Sequence, residues 1–410
     1  MVTVEDSHAP ITLTQDRIRG GGRAFSWSLG LGVVGLLATL AFYVAGGPAQ
    51  HTTVLAGYLV AFAYWVGIAV TATIWNAIFH AAGAKWWVVI RRPLEIIGAA
   101  LPVFILLFLP VALGMSELFP WVRPSRAMDA EQLELLSHKA PYLNVPFFVV
   151  RAGIYFLFWW WVTDRLRRWS LRQDEVGGPQ PTKAMRRLGA GSLPFLGLTI
   201  TFAAVDWVMS VDPFWISTIF GALYFAGSFL SAMSLLAIVI ALNEKRTRGL
   251  GGVVTRHHLY NVGKLMLAFT AFWTYCAFSQ FMLIWIANIP EESAWYVVRM
   301  KGGWQWMGLF LIVAFFFVPF FTLLSRSLKF NPRGLAVVGV WLMLMNYLHV
   351  YFLIMPGLFP AGPQPHLAHL AALIGVGGIA VATALWRARG QFAIPVKDPY
   401  LAYSVRYTQP

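Results

Sequence analysis

Ten stretches of this 410-residue sequence are each about 20 or more mostly apolar residues long, enough to cross the roughly 30 Å hydrocarbon layer of a bilayer as a helix. A chain crossing lipid must satisfy its own backbone hydrogen bonds, so an all-α integral membrane fold is expected. The low charge agrees: 12% of residues are charged, against roughly a quarter in soluble domains. The spans are read as Phe25–Ala45, Val54–Ala81, Trp86–Met115, Asn144–Leu171, Leu188–Val211, Phe214–Asn243, His257–Asn288, Gly303–Leu328, Gly334–Leu358 and Leu367–Trp386. Arg91, Arg92 and Pro93 disturb the third, whose lipid-embedded part is expected to begin at Leu94.

The loops give the orientation. With ten crossings, 24 Lys and Arg residues fall on the side that holds both termini and 5 on the other. Basic residues accumulate in cytoplasmic loops, so both termini are expected in the cytoplasm of a multi-pass protein of a bacterial inner membrane. The expected layout is a cytoplasmic segment 1–24, a transmembrane domain 25–387 and a cytoplasmic tail 388–410 that lacks a helix signal. Within the domain, 25–53 and 366–387 are peripheral helices, 54–187 with the fifth helix 188–213 forms a first four-helix bundle, and 214–358 forms a second. No residue-level repeat accompanies this geometry.

Several function classes drop out. The net charge of +14 is accounted for by the basic loops, and no basic stretch carries the features of a nucleic-acid-binding face. The single cysteine, Cys276, can neither close an internal disulfide nor hold an iron–sulfur cluster, which takes about four ligands. No deep pair of histidines matches on facing spans, as a b-type haem requires: His80 lies at the inner end of its span and His349 in the outer half of its own. Phosphate-binding loops and hydrolase motifs are absent from the sequence, and so is the pattern of a cleaved signal peptide.

Ionisable groups at membrane depth are costly and mark either pairing or a pathway. Near the basic side lie His80, Glu95 and Lys264, the last two roughly 10–13 Å along their helices at 1.5 Å per residue. Spans six to nine hold no carboxylate in their cores, so Glu95 is the expected partner of Lys264; the alternative is a snorkelling Lys264 with Glu95 bound to Arg91 and Arg92. Toward the other side lie Arg151, Asp206, Asp212, Asn346 and His349. Asp206 and Arg151 are a candidate ion pair, Asp212 before Pro213 is a candidate cap or turn residue, and His349 reads first as a packing histidine. Tyr224, Tyr275, Ser231 and Gln280 lie between the two groups as candidate relays, an arrangement suited to two proton half-channels.

Two strings carry a resemblance. One runs Asp206-Trp-Val-Met-Ser-Val-Asp-Pro-Phe-Trp-Ile-Ser-Thr-Ile-Phe-Gly221 and on into Tyr224-Phe-Ala-Gly-Ser228; the other is Gly263-Lys-Leu followed by Phe272-Trp-Thr-Tyr-Cys-Ala-Phe-Ser-Gln-Phe-Met-Leu-Ile-Trp-Ile-Ala-Asn-Ile-Pro-Glu-Glu292. They resemble the second large membrane subunits (ActF type) of bacterial alternative complex III, within the NrfD/polysulfide-reductase membrane-subunit family. The resemblance implies two four-helix bundles with peripheral first and last helices, and a place in a quinol:electron-acceptor oxidoreductase. It implies as partners a sister NrfD-like subunit (ActC), a periplasmic iron–sulfur subunit, c-haem subunits, small membrane subunits and lipids. Quinol, iron–sulfur clusters and c-type haem would then be held by those partners, with no cofactor or metal in this chain. Asp206, Lys264 and Gln280 lie inside the matching strings, whereas His80 and Glu95 lie in a region of looser likeness. Many relatives carry an acid three positions before the lysine; Asn261 stands there here, leaving Glu244 or His257 as proton entry. A proton-conducting subunit is the first expectation, a quinol site built on Asp206 and His349 the second, and a pure scaffold the third.

Overall fold

A computed structural model describes residues 2–4, 11–13, 17–18, 22–125, 128–245 and 249–409. Of the residues used to assign sides, Arg19, Arg126, Arg246 and Arg248 lie outside this set. Among the described residues ten helices are long and apolar enough to cross a membrane: Arg23–Gly46, Pro48–Ala81, Val88–Leu113, Val145–Val176, Pro179–Val211, Phe220–Asn243, Arg256–Ala287, Trp304–Leu324, Pro332–Leu358 and Leu367–Arg387. They are the first to tenth spans below. A short antiparallel pair, Val2–Val4 with Ile11–Leu13, precedes them.

Local chemistry sets the helix ends. Asn144 accepts from the Phe147 N–H ahead of the fourth span, and Asn331 accepts from the Arg333 and Gly334 N–H groups ahead of the ninth; proline follows at the second helical position (Pro146) and the first (Pro332) respectively, where the missing N–H does no harm. Thr255 and His258 form a reciprocal capping pair at the start of the seventh. Proline also explains the breaks. The third span is helical over Val88–Gly98, Val103–Leu107 and Leu109–Leu113, with interruptions beside Pro102 and Pro110. The eighth contains a π-helical stretch, Ile312–Phe317, just before Pro319, whose ring cannot tolerate the normal carbonyl position one turn earlier.

The second span is the centre of the molecule: from Val54 to Ala77 it is almost wholly buried. A helix apolar all round belongs inside a protein rather than at its surface, and this one packs on the first, third, fifth, sixth, ninth and tenth spans. In lipid, apolar side chains gain little by touching each other instead of acyl chains, so close packing must supply the cohesion. Glycine makes that possible between the first and tenth spans, where a Cβ on Gly35 would meet the Gly375 nitrogen at 2.6 Å and one on Gly378 would meet the Gly32 Cα at 2.6 Å. Around the second span Phe62 is ringed by Phe104, Phe108, Phe156 and Trp207 in edge and tilted contacts.

Three expectations need correction. The sixth span starts at Phe220, not Phe214, because Ser217 and Trp215 turn their polar groups onto Gln280 and the Glu292 carbonyl. Arg91 and Arg92 are not a preface to the third span: they lie inside its first helix, fully buried. The tail, expected to lack a helix, has one. It buries Ile394, Val396, Asp398 and Leu401, and Leu401–Val405 is helical.

Candidate functional site

The ionisable groups fall into three sets. On the basic face Arg91 and Arg92 each reach Glu95, at 3.1 and 3.2 Å, from one turn earlier on the same helix. Their outer nitrogens extend to Asp398 of the tail (2.7 Å) and Asp174 of the fourth span (2.8 Å). Two guanidinium groups thus face three carboxylates, the neutralisation that buried charge requires. Glu95 therefore does not partner Lys264. Lys264 instead donates to the Gln409 side chain at 2.9 Å.

Toward the opposite face, Asp206 is fully buried at the end of the fifth span and is gripped by Arg151 of the fourth. Arg151 Nε and Nη2 donate to its two oxygens at 2.9 Å each, and the Tyr142 and Tyr155 hydroxyls donate at 2.9 Å each. The guanidinium lies 3.8 Å from the Tyr142 ring centroid and 4.3 Å from that of Phe147. Every strong acceptor direction of this carboxylate is filled, a fork-on-fork ion pair in a locked position. The Asp206–Arg151 pairing is legible in the sequence; the two tyrosines are not, although Tyr155 stands one turn after Arg151. Tyr142 lies outside the spans, and burial together with the Asp206 charge raises its pKa.

The third set lines a cavity of about 460 Å³ formed by the seventh, eighth and ninth spans and the loop helix Pro290–Arg299. Its wall is apolar, with Phe278, Phe281, Leu309, Ile312, Phe316 and Phe352 among the lining residues, and a few polar groups converge on it: Gln280, Tyr296, Arg299 and His349. Gln280 accepts from Ser217 at 2.9 Å and donates to Tyr296 at 3.0 Å. Arg299 lies over the Trp295 ring, 3.3 Å from its centroid, and donates to the carbonyls of Trp295 and Leu353. Burial disfavours its charge and pushes its pKa down to about 9, with Asp212 opposing. A guanidinium keeps its proton across the ordinary pH range, so a cation stripped of water sits at this wall. Asp212 is itself raised by burial, against the pull of Arg299 and Lys139. His349 stands edge-on to Trp273 at 5.0 Å, a packing contact, and makes no hydrogen bond to a described residue. The π-helical stretch of the eighth span contributes Ile312 and Phe316 to the wall.

Between these sets the neutral relay candidates separate. Tyr224 is buried and donates to the Ala63 carbonyl at 2.5 Å. Tyr275 is 63% exposed on the outside of the seventh span and is not turned to the interior. Five buried polar atoms find no partner among the described residues: His80 Nε2, Asn76 Oδ1, Ser231 Oγ, Ser228 Oγ and Asn346 Nδ2. His80 and Asn76 lie one turn apart on the second span. Ser228 approaches Gly67 of that span, where an added Cβ would meet its hydroxyl at 2.4 Å. Asn346 faces Gly227, where a Cβ would meet Asn346 Oδ1 at 2.3 Å and His349 Nδ1 at 3.6 Å. Among the described residues no cluster of three metal-ligating side chains forms.

No family model matches this chain, and no curated protein matches it.

Proposed function

We propose that this chain is a proton-conducting membrane subunit of a quinol-oxidising respiratory complex, embedded in a bacterial inner membrane with both termini in the cytoplasm. The observation that carries it is the set of buried polar atoms without a described partner on His80, Asn76, Ser231, Ser228 and Asn346, with His349 one turn beyond Asn346 on the ninth span. Buried donors and acceptors are almost always satisfied, by ordered water where protein is lacking. A file of His, Asn and Ser side chains joined by such waters moves protons without needing a buried charge to relocate. The ion-paired Glu95 and Asp206 clusters then act at the two ends as fixed charges that set the local field. The resemblance to the alternative complex III subunits supplies the rest: electrons travel through partner subunits, and this chain anchors them while carrying protons.

The test is the proton-to-electron ratio of the native assembly in proteoliposomes. Asn76→Leu and Ser228→Ala/Ser231→Val replace the water-binding atoms with apolar ones of similar size. Assembly and quinol oxidation are expected to persist while proton movement falls at least severalfold. An unchanged ratio in both variants refutes the reading.

The cavity supports a second reading, in which the same chain binds the quinol. An apolar slot of this size with a few convergent polar groups suits a ring with oxygen substituents, and His349 would accept one hydroxyl proton, the second passing to water, while both electrons leave to a partner subunit. Photo-crosslinking with an azido-quinone decides it: labelling of the Phe278–Phe281 and Ile312–Phe316 segments, lost in His349→Leu, is expected. Labelling confined to other subunits refutes it.

A further inference from the structure

Where the seventh and eighth spans meet the basic face, three cations converge on one aromatic ring. Lys264 Nζ lies 5.0 Å from the Tyr260 centroid, Lys329 Nζ 5.3 Å and the Arg326 guanidinium carbon 5.9 Å. Tyr260 is itself stacked on Phe330, centroid to centroid 4.7 Å at 14°, which fixes the platform. Lys329 is the telling member. It is only 5% exposed, yet it makes no hydrogen bond or ion pair with any described residue, and burial together with the charge of Lys264 lowers its pKa. Its stem lies in a notch at Gly263, where a Cβ would meet Lys329 Cγ at 2.6 Å. A Cβ at position 263 would displace this stem. Two like charges thus share one ring, an arrangement that disfavours itself unless an anion joins them.

No described carboxylate does so. The acids of this face are engaged elsewhere or exposed, and the one polar contact of Lys264 is to the neutral Gln409. The cluster stands at the level where the apolar part of the eighth span ends at Leu324 and the short helix Arg326–Phe330 begins, which is where headgroup phosphates lie. We propose that Lys264, Lys329 and Arg326 bind the phosphate of an anionic phospholipid of the leaflet that faces the basic side. The two lysines act as point charges on the phosphate oxygens, Arg326 closes the exposed side, and the Tyr260–Phe330 pair packs on the glycerol and first methylenes. The basic-residue bias assigns this face to the cytoplasmic leaflet, where anionic lipids attract such clusters, each cation adding about fivefold in affinity.

The experiment is native mass spectrometry of the full-length chain equilibrated with equal amounts of phosphatidylglycerol and phosphatidylcholine. The unaltered protein is expected to retain the anionic lipid at least tenfold over the zwitterionic one. Lys264→Gln/Lys329→Gln brings the ratio near parity, while Lys183→Gln/Lys245→Gln, two exposed lysines of the same face, leaves it unchanged. Arg326→Gln, at an exposed position that does not threaten folding, lowers the ratio about fivefold. A preference that survives both Lys264→Gln/Lys329→Gln and Arg326→Gln overturns the proposal, as does a wild-type ratio near one. Displacement of the lipid by millimolar inorganic phosphate also overturns it, and reassigns the cluster to a free anion.

Discussion

Replacing Asp206 with asparagine keeps the shape of the side chain and removes its charge, leaving Arg151 buried with a weaker acceptor. The carboxylate takes four hydrogen bonds of 2.9 Å, two of them from the guanidinium, and the pair is nearly sealed from solvent. Breaking a buried pair by removing one partner costs about 3–5 kcal/mol, because the remaining charge stays desolvated. Some of that is recovered here, since Arg151 keeps the Tyr142 carbonyl and two aromatic faces, so about 3 kcal/mol is the expected loss. Arg151→Met/Asp206→Leu should be much closer to wild type than either single change. The double-mutant cycle, measured by reversible unfolding in bicelles, is expected to give a coupling of about 2 kcal/mol or more. A coupling below about 0.5 kcal/mol would mean that the two groups do not depend on each other, and the assignment of Asp206 as a fixed structural charge would fail with it.

Three further outcomes follow from the same geometry. Asp398→Ala removes the tail contact of Arg91 at 2.7 Å and is expected to free the tail, seen as faster proteolysis after residue 390 with the transmembrane domain intact. Gly35→Val places a branched side chain against the Gly375 backbone and should cost about 1–3 kcal/mol by overpacking, read as a lower thermal midpoint and separation of the first and tenth spans in spin-label distances. Asp212, whose pKa is raised by burial, holds its proton longer in the folded than in the unfolded chain. Its contribution to stability is therefore fully present below about pH 4, the unfolded value, and declines as pH rises through the higher folded value. Asp212→Asn should flatten that part of the stability–pH curve.

The ten spans were legible because lipid imposes one simple demand, a long apolar helix, and ten windows meet it. The Arg151–Asp206 contact was legible because two opposite charges stood at similar depth on consecutive helices. Glu95 illustrates the limit. Its nearest cations, Arg91 and Arg92, are one turn away in sequence and proved decisive, whereas the longer-range match with Lys264 did not form; depth along two helices says nothing about which faces they turn to each other. For the same reason Tyr275, in the middle of the second quoted string, turns outward. Asp398 and Asp174 could not have been named from spacing, since they reach the arginines from a tail and from a distant helix end. Arg299 left no trace in hydropathy, because the helix Pro290–Arg299 between spans buries Trp295 and Arg299 alone.

Charge and polarity are distributed unevenly, and the distribution argues for water inside. Ion-paired clusters stand toward the two faces, while Asn, Ser and His side chains between them carry buried atoms without a described partner. Pure packing does not call for that, because alanine or valine would fill the same places without leaving polar atoms unsatisfied. Two glycines give the polar groups their room. Gly67→Ala would set a methyl against the hydroxyls of Ser228 and Tyr224, at 2.4 and 2.8 Å, and Gly227→Ala would set one against Asn346 at 2.3 Å. Each should fold, at a cost of about 1–3 kcal/mol, and each should displace the waters that join the second span to His349. If they do, proton movement drops in both variants and hydrogen–deuterium exchange around Asn346 slows. If movement continues at the wild-type rate while Asn346 is demonstrably displaced, protons do not pass between the second, sixth and ninth spans, and the unsatisfied atoms there have some other reason to exist.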